Sequence, residues 1–214
     1  MQEEQSNLKI NFCKFCFKPL NQNSFTYLFR DDIHLCNKCY RAFNPWFKHF
    51  KTDDVPGFVL YEYSETFASM LFQFKGCFDI ELAPLFLERV LWRLKLLYPG
   101  YVLVPAPSTK ESDEKRGFNH VQEIFKYLKK PIIPCVVKTK EVKQSSQGSK
   151  RKEIARFFDI VKGERLTGKK VLIIDDVRTS GSTLKAMIKL IRKHNPRKIK
   201  ILVLSATKHD RLIN

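Results

Sequence analysis

The sequence predicts an α/β fold, with a parallel sheet flanked by helices, behind a small N-terminal metal-binding module. Beyond residue 58, apolar patterns of helical and strand-like spacing alternate, and ahead of it lie two Cys-x-x-Cys pairs. Such alternation is typical of a parallel sheet whose two faces are both covered. A chain of 214 residues has room for one ordinary domain and a small appendage.

Apolar stripes at helical spacing predict the helices, and continuous apolar runs predict the strands. Asn119 is suited to cap a helix because Gln122 follows three residues later, and Asn195-Pro196 ends the last helix. The predicted helices cover 64–75, 82–97, 119–128 and 184–191, and the predicted strands cover 102–104, 132–137, 171–174 and 199–204.

The domain organisation follows from the same patterns. Residues 1–11 are predicted to be a flexible tail, and residues 12–43 form the cysteine module, with short strands at 25–29 and 33–35. Residues 44–57 contain two Pro and a Gly and are predicted to be a linker to the domain at 58–214.

The composition indicates a folded cytoplasmic protein with affinity for polyanions. Apolar residues make up 43% of the chain, with 18 Phe among them, which supports a real core. The polar N-terminus predicts no secretory signal, and two glutamates within the longest weakly charged run, 58–74, predict no transmembrane span. A net charge of +17 favours nucleic acid, an acidic membrane face or acidic partners, with a merely solvated basic surface as the alternative.

The cysteine pairs predict a structural zinc site. Cys13 and Cys16 form one knuckle and Cys36 and Cys39 the other, and each knuckle places two thiolates on a tight turn. Two knuckles close a tetrahedron around Zn²⁺ and leave no open position for catalysis. Disulfides are the competing interpretation, which a cytoplasmic location disfavours, and His34 could replace one of the cysteines.

Basic and aromatic side chains crowd this module and suggest contact with single-stranded nucleic acid. Exposed rings beside cations suit base stacking combined with phosphate contact. The rings could instead be the small core of the module, or its face could dock a protein, and the sequence leaves these alternatives open. The nucleic-acid candidates are Lys14, Phe15, Lys38 and Arg41 in the module and Lys143, Lys150, Arg151 and Lys152 in the polar segment 138–152.

The most specific pattern is the run VLIIDDVRTSGSTL at 171–184. An apolar strand leads into Asp175 and Asp176, and a small hydroxyl-and-glycine loop then leads into a helix. Parallel α/β folds place ligands at the carboxyl ends of strands, and the N–H groups of a helix start favour an anion. Two carboxylates that can accept hydrogen bonds from vicinal hydroxyls, beside an anion cradle, predict a site for a ribose 5-phosphate. The predicted ligand-binding residues are Asp175, Asp176, Val177, Arg178, Thr179, Ser180, Gly181, Ser182 and Thr183.

This run resembles the phosphoribosyl pyrophosphate (PRPP) signature of type I phosphoribosyltransferases. The resemblance implies a type I phosphoribosyltransferase-like fold, with Asp175 and Asp176 at the ribose hydroxyls and residues 179–183 around the 5-phosphate. Arg178 occupies a position that these enzymes leave variable. In a working transferase the pyrophosphate would need Mg²⁺ and basic groups, for which Arg116 and the segment 138–152 are candidates. The predicted catalytic residues are therefore Asp175, Asp176 and Arg116.

Further segments are similar to the ComF family of competence proteins, and the similarity extends from about Cys13 to Ala206. They comprise the four-cysteine module, Phe74-Lys75-Gly76, Val104-Pro-Ala-Pro107, Arg116-Gly-Phe-Asn119 and the set Gln147, Arg151 and Phe157. The resemblance implies a role in natural transformation, on incoming single-stranded DNA at the cytoplasmic face of the membrane, with a helicase-like partner. It also implies that residues 138–156 form a loop that closes over the pocket, with a surface loop that closes on nothing as the alternative.

Three hypotheses of function follow. The first is a DNA-uptake factor that binds single-stranded DNA and keeps a PRPP-type pocket. The second is an active Mg²⁺-dependent phosphoribosyltransferase whose acceptor is unknown, since no segment indicates a nucleobase site. The third is a scaffold whose zinc module docks an acidic protein. The charge and the aromatic-basic module favour the first.

Overall fold

The computed structural model describes residues 11–20, 34–139 and 157–207. The chain divides between residues 44 and 45 into two units. The first unit contains the cysteine module with the helix α1 (Asn37–Ala42). The strand predicted at 25–29 lies outside the described residues, as do most of the predicted tail and nearly all of the polar segment 138–156.

A five-stranded, mostly parallel sheet forms the centre of the second unit. Four of its strands pair in parallel, and the first strand pairs antiparallel at one edge. The strand order is β1 (Lys48–Thr52), β2 (Val55–Glu62), β7 (Lys198–Ala206), β6 (Lys170–Arg178) and β3 (Tyr101–Pro105). The predicted α/β class with a parallel sheet is confirmed.

The two central strands are buried on both faces. Val171 to Ile174 in β6 and Ile201 to Leu204 in β7 have no exposed surface. Strands that helices cover on both sides carry continuous apolar runs instead of alternating ones. This is why the predictions at 171–174 and 199–204 succeed, although β6 extends four residues further, so that Asp175 to Arg178 belong to the strand.

Six α-helices lie in the described part of the second unit. They are α2 (Glu65–Gly76), α3 (Leu85–Glu88), α4 (Leu91–Leu97), α5 (Lys110–Arg116), α6 (His120–Phe125) and α7 (Ser182–Arg192). The long helix predicted over 82–97 is replaced by short pieces, because Pro84 lacks an N–H and takes the N-cap of α3. Asn119 caps α6 as predicted, since its Oδ1 accepts a hydrogen bond from the Gln122 N–H at 3.0 Å.

The predicted linker at 44–57 is corrected, because β1 and the start of β2 lie within it. Its Pro and Gly residues suggested a loop, yet both fit a strand here. Pro56 pairs only with β1, because the pairing of β2 with β7 begins at Gly57. Gly57 is needed because the Phe50 ring lies where a side chain would point, with ring carbons 2.3–2.6 Å from a Cβ placed there.

The predicted strand at 132–137 is also corrected. Ile132 makes one isolated parallel bridge with Leu103, and Pro134 then interrupts the pairing because it lacks an N–H. Two further strands, β4 (Val136–Lys138) and β5 (Phe158–Ile160), form a separate antiparallel pair. No helix among the described residues has the length and apolar character needed to cross a membrane.

Candidate ligand pocket and cysteine cluster

The carboxyl ends of β3 and β6 lie side by side, with Pro105 paired to Ile174. Both strands lead into segments that border a cavity of about 300 Å³. Lining it are both predicted carboxylates, one predicted hydroxyl group, two cations and a histidine: Asp175, Asp176, Thr183, Arg116, Lys138 and His120. The structure therefore brings Arg116 to the same cavity as the carboxylate pair.

Asp176 is the hub of the side-chain contacts in this cavity. Its Oδ1 accepts a hydrogen bond from the Val177 N–H at 2.8 Å. Its Oδ2 pairs with the Lys75 ammonium and lies 3.4 Å from His120 Nε2. Asp175 is held less tightly, with Oδ1 accepting from the Asp176 N–H at 2.9 Å. Asp176 is thus held by contacts within the protein, with Val177, Lys75 and His120. Asp175 is therefore the better placed of the two to accept hydrogen bonds from a ligand.

His120 is a neutral link between Arg116 and Asp176. Arg116 lies 2.9 Å from His120 Nδ1 and can only donate, so Nδ1 accepts and the ring proton is on Nε2, facing Asp176. Burial, together with the nearby charges of Lys75, Arg116 and Lys138, lowers the pKa of His120 to about 2. The imidazole therefore stays uncharged at neutral pH and orients its two neighbours.

A short polar network fixes Arg116 from its other side. Asp113 Oδ1 lies 3.3 Å from the Arg116 guanidinium, and Asp113 Oδ2 accepts from Asn119 Nδ2 at 2.9 Å. Asn119 Nδ2 also donates to Ser108 Oγ at 2.8 Å. This network ties the segment after β3 to the α5–α6 turn, so Arg116 has a defined position at the cavity.

An aromatic contact holds α2 against the same turn. Phe118 lies 5.2 Å from Phe74 between ring centroids, and Phe74 packs edge-to-face on Phe86 at 5.4 Å. Gly117 ends α5 with a φ of +78°, a conformation that favours glycine and lets the chain reverse between α5 and α6. The two motifs Phe74-Lys75-Gly76 and Arg116-Gly-Phe-Asn119 therefore pack together, which brings Lys75 to Asp176.

Burial shifts the pKa values of Asp175 and Lys75 in opposite directions. It raises the pKa of Asp175 to about 7, and the charges of Lys75 and Lys138 only partly oppose this. Burial lowers the pKa of Lys75 to about 8, although the charge of Asp175 opposes that shift. Both groups therefore titrate near neutral pH, which is unusual for these residue types and typical of functional sites.

The predicted phosphate loop lies at the start of α7. Gly181 occupies the N-cap position with a φ of +72° and has no side chain to cap the helix. The Ser182 N–H, the first of α7, donates a long hydrogen bond to Ser180 Oγ at 3.4 Å. Ser180 and Ser182 hydroxyls lie 2.9 Å apart. Thr183 lines the cavity beside the aspartates, whereas Thr179 and Ser180 are exposed to solvent.

Arg178 is not among the residues that line the cavity. Its guanidinium lies over the Phe50 ring, 4.9 Å from the centroid, and 3.9 Å from the position that a Cβ on Gly181 would take. Phe50 in turn covers Gly57. A stack of Gly57, Phe50 and Arg178 therefore supports the loop at Gly181 from behind.

A second, larger cavity of about 1120 Å³ adjoins the first. The two share Ala106, Pro107, Ser108, Thr109, Lys138 and Thr183. The larger one is bordered by apolar side chains of the β4–β5 pair, including Val136 and Phe158. Space beside a polar pocket, lined with apolar groups, suits a flat or apolar ligand group.

The four cysteines of the module converge in the first unit. Their Sγ atoms all lie within 4.8 Å of one another, a group that can hold a metal ion. The cysteines are free thiols, so the disulfide alternative is not realised. The His34 ring is not part of the cluster among the described residues, and its backbone carbonyl instead accepts from the Lys14 N–H at 2.8 Å.

The aromatic residues of the module take two different positions. Phe15 makes an edge-to-face contact with the buried Phe43, at 5.4 Å between centroids, as in a small core. Phe12 and Phe17 are 53% and 67% exposed, so their rings are accessible for stacking. Lys38 and Arg41 are exposed on α1. The candidates Lys143, Lys150, Arg151 and Lys152 lie outside the described residues.

Sequence reasoning missed Lys75 and His120 as members of the site. Both carried a signal: Lys75 follows Leu71 by four residues and so falls next to the apolar face of α2, and His120 precedes Ile124 by four residues on the inner face of α6. A polar residue at such a position needs a partner. What the sequence could not show is that the partner is Asp176 for both.

A family model agrees with this geometry. The model described as "Phosphoribosyl transferase domain" matches residues 114–212. This range includes β6, the loop at Gly181, α7 and β7, and within it β6 and α7 supply Asp175, Asp176 and Thr183 to the cavity.

Curated relatives carry the name "Competence protein ComFC". The protein from Bacillus subtilis is 28% identical over 58% of this chain and 53% of its own length. That from Streptococcus pneumoniae is 23% identical over 66% of this chain and 64% of its own length. The chain thus spans between half and two thirds of the relatives that it matches.

Among solved structures, a hypoxanthine-guanine phosphoribosyltransferase from Bacillus anthracis aligns with 64% of this chain and 75% of that chain, with a TM-score of 0.41 and 16% identity. The resemblance stated from the sequence is confirmed by the family model and the curated relatives. Residues 114–212 therefore match the phosphoribosyl transferase domain, and the chain is a sequence relative of the ComFC competence proteins.

Proposed function

We propose that this protein is a DNA-uptake factor of natural transformation that binds single-stranded DNA, holds a PRPP-type ligand between β6 and α7, and carries a structural zinc ion. The observation that carries the pocket is the convergence of Asp175, Arg116 and Thr183, at the start of α7, on one cavity. The name of the curated relatives supports the role in competence.

In the proposed pocket each group has one task. Asp175 accepts hydrogen bonds from the ribose hydroxyls, while Asp176 is held in place by Lys75 and His120. The N–H groups at the start of α7 and the Thr183 hydroxyl receive the 5-phosphate, because a helix start favours an anion. Arg116 faces the pyrophosphate. Mg²⁺ would arrive on the phosphates of the ligand, which is how proteins usually hold it.

The cysteine cluster fits zinc. A tetrahedral site with Zn–S bonds of about 2.3 Å has sulfur atoms about 3.8 Å apart, and Cys16 Sγ lies 3.7 Å from Cys36 Sγ. Four thiolates complete the tetrahedron, so the ion would have a structural role. The module would then present the exposed rings of Phe12 and Phe17 with Lys38 and Arg41 to single-stranded DNA. The protein would act in the cytoplasm, at the inner face of the membrane, with a helicase-like partner.

A second candidate function is an active Mg²⁺-dependent phosphoribosyltransferase. The 1120 Å³ cavity beside the proposed ribose site supports it, because a transferase needs room for an acceptor next to C1 of the sugar. Loss of PRPP with release of pyrophosphate, dependent on Mg²⁺ and on Asp175, would establish this activity. PRPP that stays intact while bound would leave the pocket as a ligand site without turnover.

Fluorescence anisotropy of a labelled single-stranded oligonucleotide, over a salt series, tests the DNA function. We expect binding that weakens steeply as salt rises, since phosphate contacts release counterions. Repeating the series with PRPP and Mg²⁺ shows whether the pocket and the DNA site are coupled. An acidic protein partner with no DNA affinity at low salt would instead support a scaffold and contradict the proposal.

A further inference from the structure

The amino ends of the parallel strands carry a cluster of cations, opposite the ligand pocket. We name this cluster the basic edge. Its members begin β6 and β7 or directly precede them: Lys169, Lys170, Arg197, Lys198 and Lys200. Lys170 and Asp175 are five residues apart on β6, which places the basic edge roughly 16 Å from the carboxylates.

The sheet register fixes these cations in rows. Tyr101, Lys170 and Lys198 are direct neighbours across β3, β6 and β7. Side chains of paired residues point to the same face, and Lys200 follows Lys198 by two residues, so it shares that face. One residue earlier, the Arg197 N–H donates to the Lys169 carbonyl at 2.9 Å, which ties the ends of the two strands together.

Two buried tyrosines hold the ammonium groups in place. Tyr98 and Tyr101 are only 4% and 5% exposed and pack edge-to-face at 5.5 Å. Lys200 Nζ lies 5.5 Å from the Tyr98 ring and 5.8 Å from the Tyr101 ring, and Lys170 Nζ lies 5.9 Å from the Tyr101 ring. Cation–π contacts thus orient two lysines without neutralising them.

The positive charge of the basic edge is not balanced nearby. The segments 161–170 and 193–200 contain one acidic residue, Glu164. No described carboxylate pairs with Lys169, Arg197 or Lys198, although other exposed cations of the domain do form pairs, such as Arg192 with Asp54 at 2.6 Å. Lys193 directly follows α7, where a cation interacts favourably with the negative end of the helix dipole. This explanation does not apply to the basic-edge residues, which begin or precede strands.

The basic edge extends onto the neighbouring helical face. Lys130 precedes Pro131, whose carbonyl accepts from the Leu103 N–H of β3 at 2.8 Å, so Lys130 lies beside the same end of the sheet. Burial and the nearby charge of Lys95 on α4 lower the pKa of Lys130. Cations therefore continue from β7 across β3 to α4, a row that suits a linear polyanion more than a compact one.

We propose that the basic edge binds the phosphodiester backbone of single-stranded DNA, as a second contact surface besides the zinc module. This inference rests on the proposed DNA function and names a surface for it. Lysines and arginine without carboxylate partners match a chain of phosphates, and the tyrosines, being buried, hold the lysines instead of stacking on bases. The contact would therefore be independent of base sequence.

The test compares two triple variants that remove the same charge. The edge variant carries Lys169→Gln, Arg197→Gln and Lys198→Gln, all at exposed positions. The control variant carries Lys51→Gln, Lys185→Gln and Lys189→Gln, exposed on β1 and on α7, which packs against the other face of the sheet. Binding of a labelled single-stranded oligonucleotide is measured over a salt series, with zinc content and thermal unfolding as checks of the fold.

We expect the edge variant to bind about tenfold or more weakly at low salt, with a salt dependence shallower by roughly 2 in log–log slope, because three phosphate contacts are lost. The control variant should match the wild type. Equal binding by the edge variant and the wild type overturns the inference while the DNA function stands. Equal losses in both variants overturn it as a mere effect of net charge.

Two further results distinguish a failure of the basic-edge inference from a failure of the proposed DNA-binding function. No oligonucleotide binding by the wild type at low salt removes the DNA function, and the inference with it. Vesicles containing anionic phospholipid provide the last comparison. If the edge variant loses vesicle binding but keeps its DNA affinity, the basic edge is a membrane contact and the inference is wrong.

Discussion

The Lys75 ammonium pairs with Asp176 Oδ2 and joins the end of α2 to the end of β6. Lys75 is 30% exposed and Asp176 10%, so the pair is largely withdrawn from water. The packing of Phe118 on Phe74 holds the end of α2 against the turn between α5 and α6. Because Asp176 is paired with Lys75, Asp175 remains available to a ligand. The two adjacent carboxylates therefore have different roles: Asp176 has a structural role, and Asp175 is the proposed ligand contact.

Removing Lys75 should therefore destabilise the protein through Asp176. Lys75→Met leaves a buried carboxylate without its cation, and we expect a loss of about 2 kcal/mol in the free energy of unfolding. Adding Asp176→Asn should restore most of this loss, since an amide tolerates the apolar neighbour better. Denaturant unfolding of the four proteins of this double-mutant cycle measures the coupling, and strictly additive effects would show that the pair contributes nothing.

The raised pKa of Asp175 predicts the pH dependence of ligand binding. A carboxylate accepts hydrogen bonds from ribose hydroxyls better than a carboxylic acid does, and the pKa of Asp175 is about 7. PRPP affinity should rise between pH 6 and pH 8 in the wild type. Asp175→Asn should bind weakly, with no such rise, in calorimetric titrations. An unchanged pH profile in the variant would assign the titration to another group.

The raised pKa of Asp175 also makes the stability of the protein depend on pH, and stability should fall over the range in which PRPP affinity rises. The folded protein keeps a proton on Asp175 between its ordinary pKa of 3.8 and about 7, whereas the unfolded chain has lost it. The free energy of unfolding contributed by this group should therefore fall as pH rises through that window. Asp175→Asn should remove the fall and stabilise the protein at pH 8, by an amount on the order of 1 kcal/mol. Thermal unfolding at several pH values checks this.

The cysteine cluster should hold one zinc ion per chain. Replacing Cys36 and Cys39 with Ser should abolish zinc binding, as measured by elemental analysis, because two thiolates alone do not complete the tetrahedron. PRPP affinity should persist in this variant, since the pocket belongs to the other unit. Cys77→Ser with Cys135→Ser is the matched control, and both lie outside the cluster. Metal-free protein with all four thiols intact and reduced would contradict the zinc proposal.

The close approach of Phe50 to Gly57 should make that glycine intolerant of substitution. A Cβ at position 57 would lie 2.3 Å from the Phe50 ring, which is fully buried and has the Arg178 guanidinium 4.9 Å from its centroid. We expect Gly57→Ala to cost about 1–3 kcal/mol in unfolding free energy, as overpacking of a core does. Phe50→Leu in the same background should recover part of it. No loss in Gly57→Ala would show that the ring moves freely, and the support of the Gly181 loop would then be absent.

The parts of the fold that the sequence revealed are those governed by local patterns. The buried strands at 171–174 and 199–204, the amphipathic α7 and the Asn119 cap each depend on residues close in the chain. The hairpin of β1 and β2 was missed because Pro56 and Gly57 indicate a loop locally. Pro56 is tolerated because it pairs with β1 alone, and Gly57 is required by the Phe50 ring of its partner on β1.

In the candidate site, too, the features that depend on local sequence could be predicted, and those that depend on tertiary packing could not. The run containing Asp175 and Asp176 could be found from the strand-loop-helix pattern, and its resemblance to a PRPP signature named the ligand class. Lys75 and His120 could not be assigned, because 101 residues separate Lys75 from Asp176 and only tertiary packing joins them. For the same reason the sequence placed Arg178 in the loop, whereas its guanidinium stacks on Phe50.

Calorimetric titration of PRPP with Mg²⁺ tests the central claim most directly. The wild type is compared with the double variant Asp175→Asn and Asp176→Asn, and zinc content and circular dichroism confirm that both are folded. We predict saturable binding by the wild type at one site per chain and a loss of about a hundredfold or more in the double variant, because the acceptors of the ribose hydroxyls are weakened and the Lys75 contact is altered. Equal PRPP affinity in the two proteins, or no binding by the wild type, would contradict the assignment of this pocket.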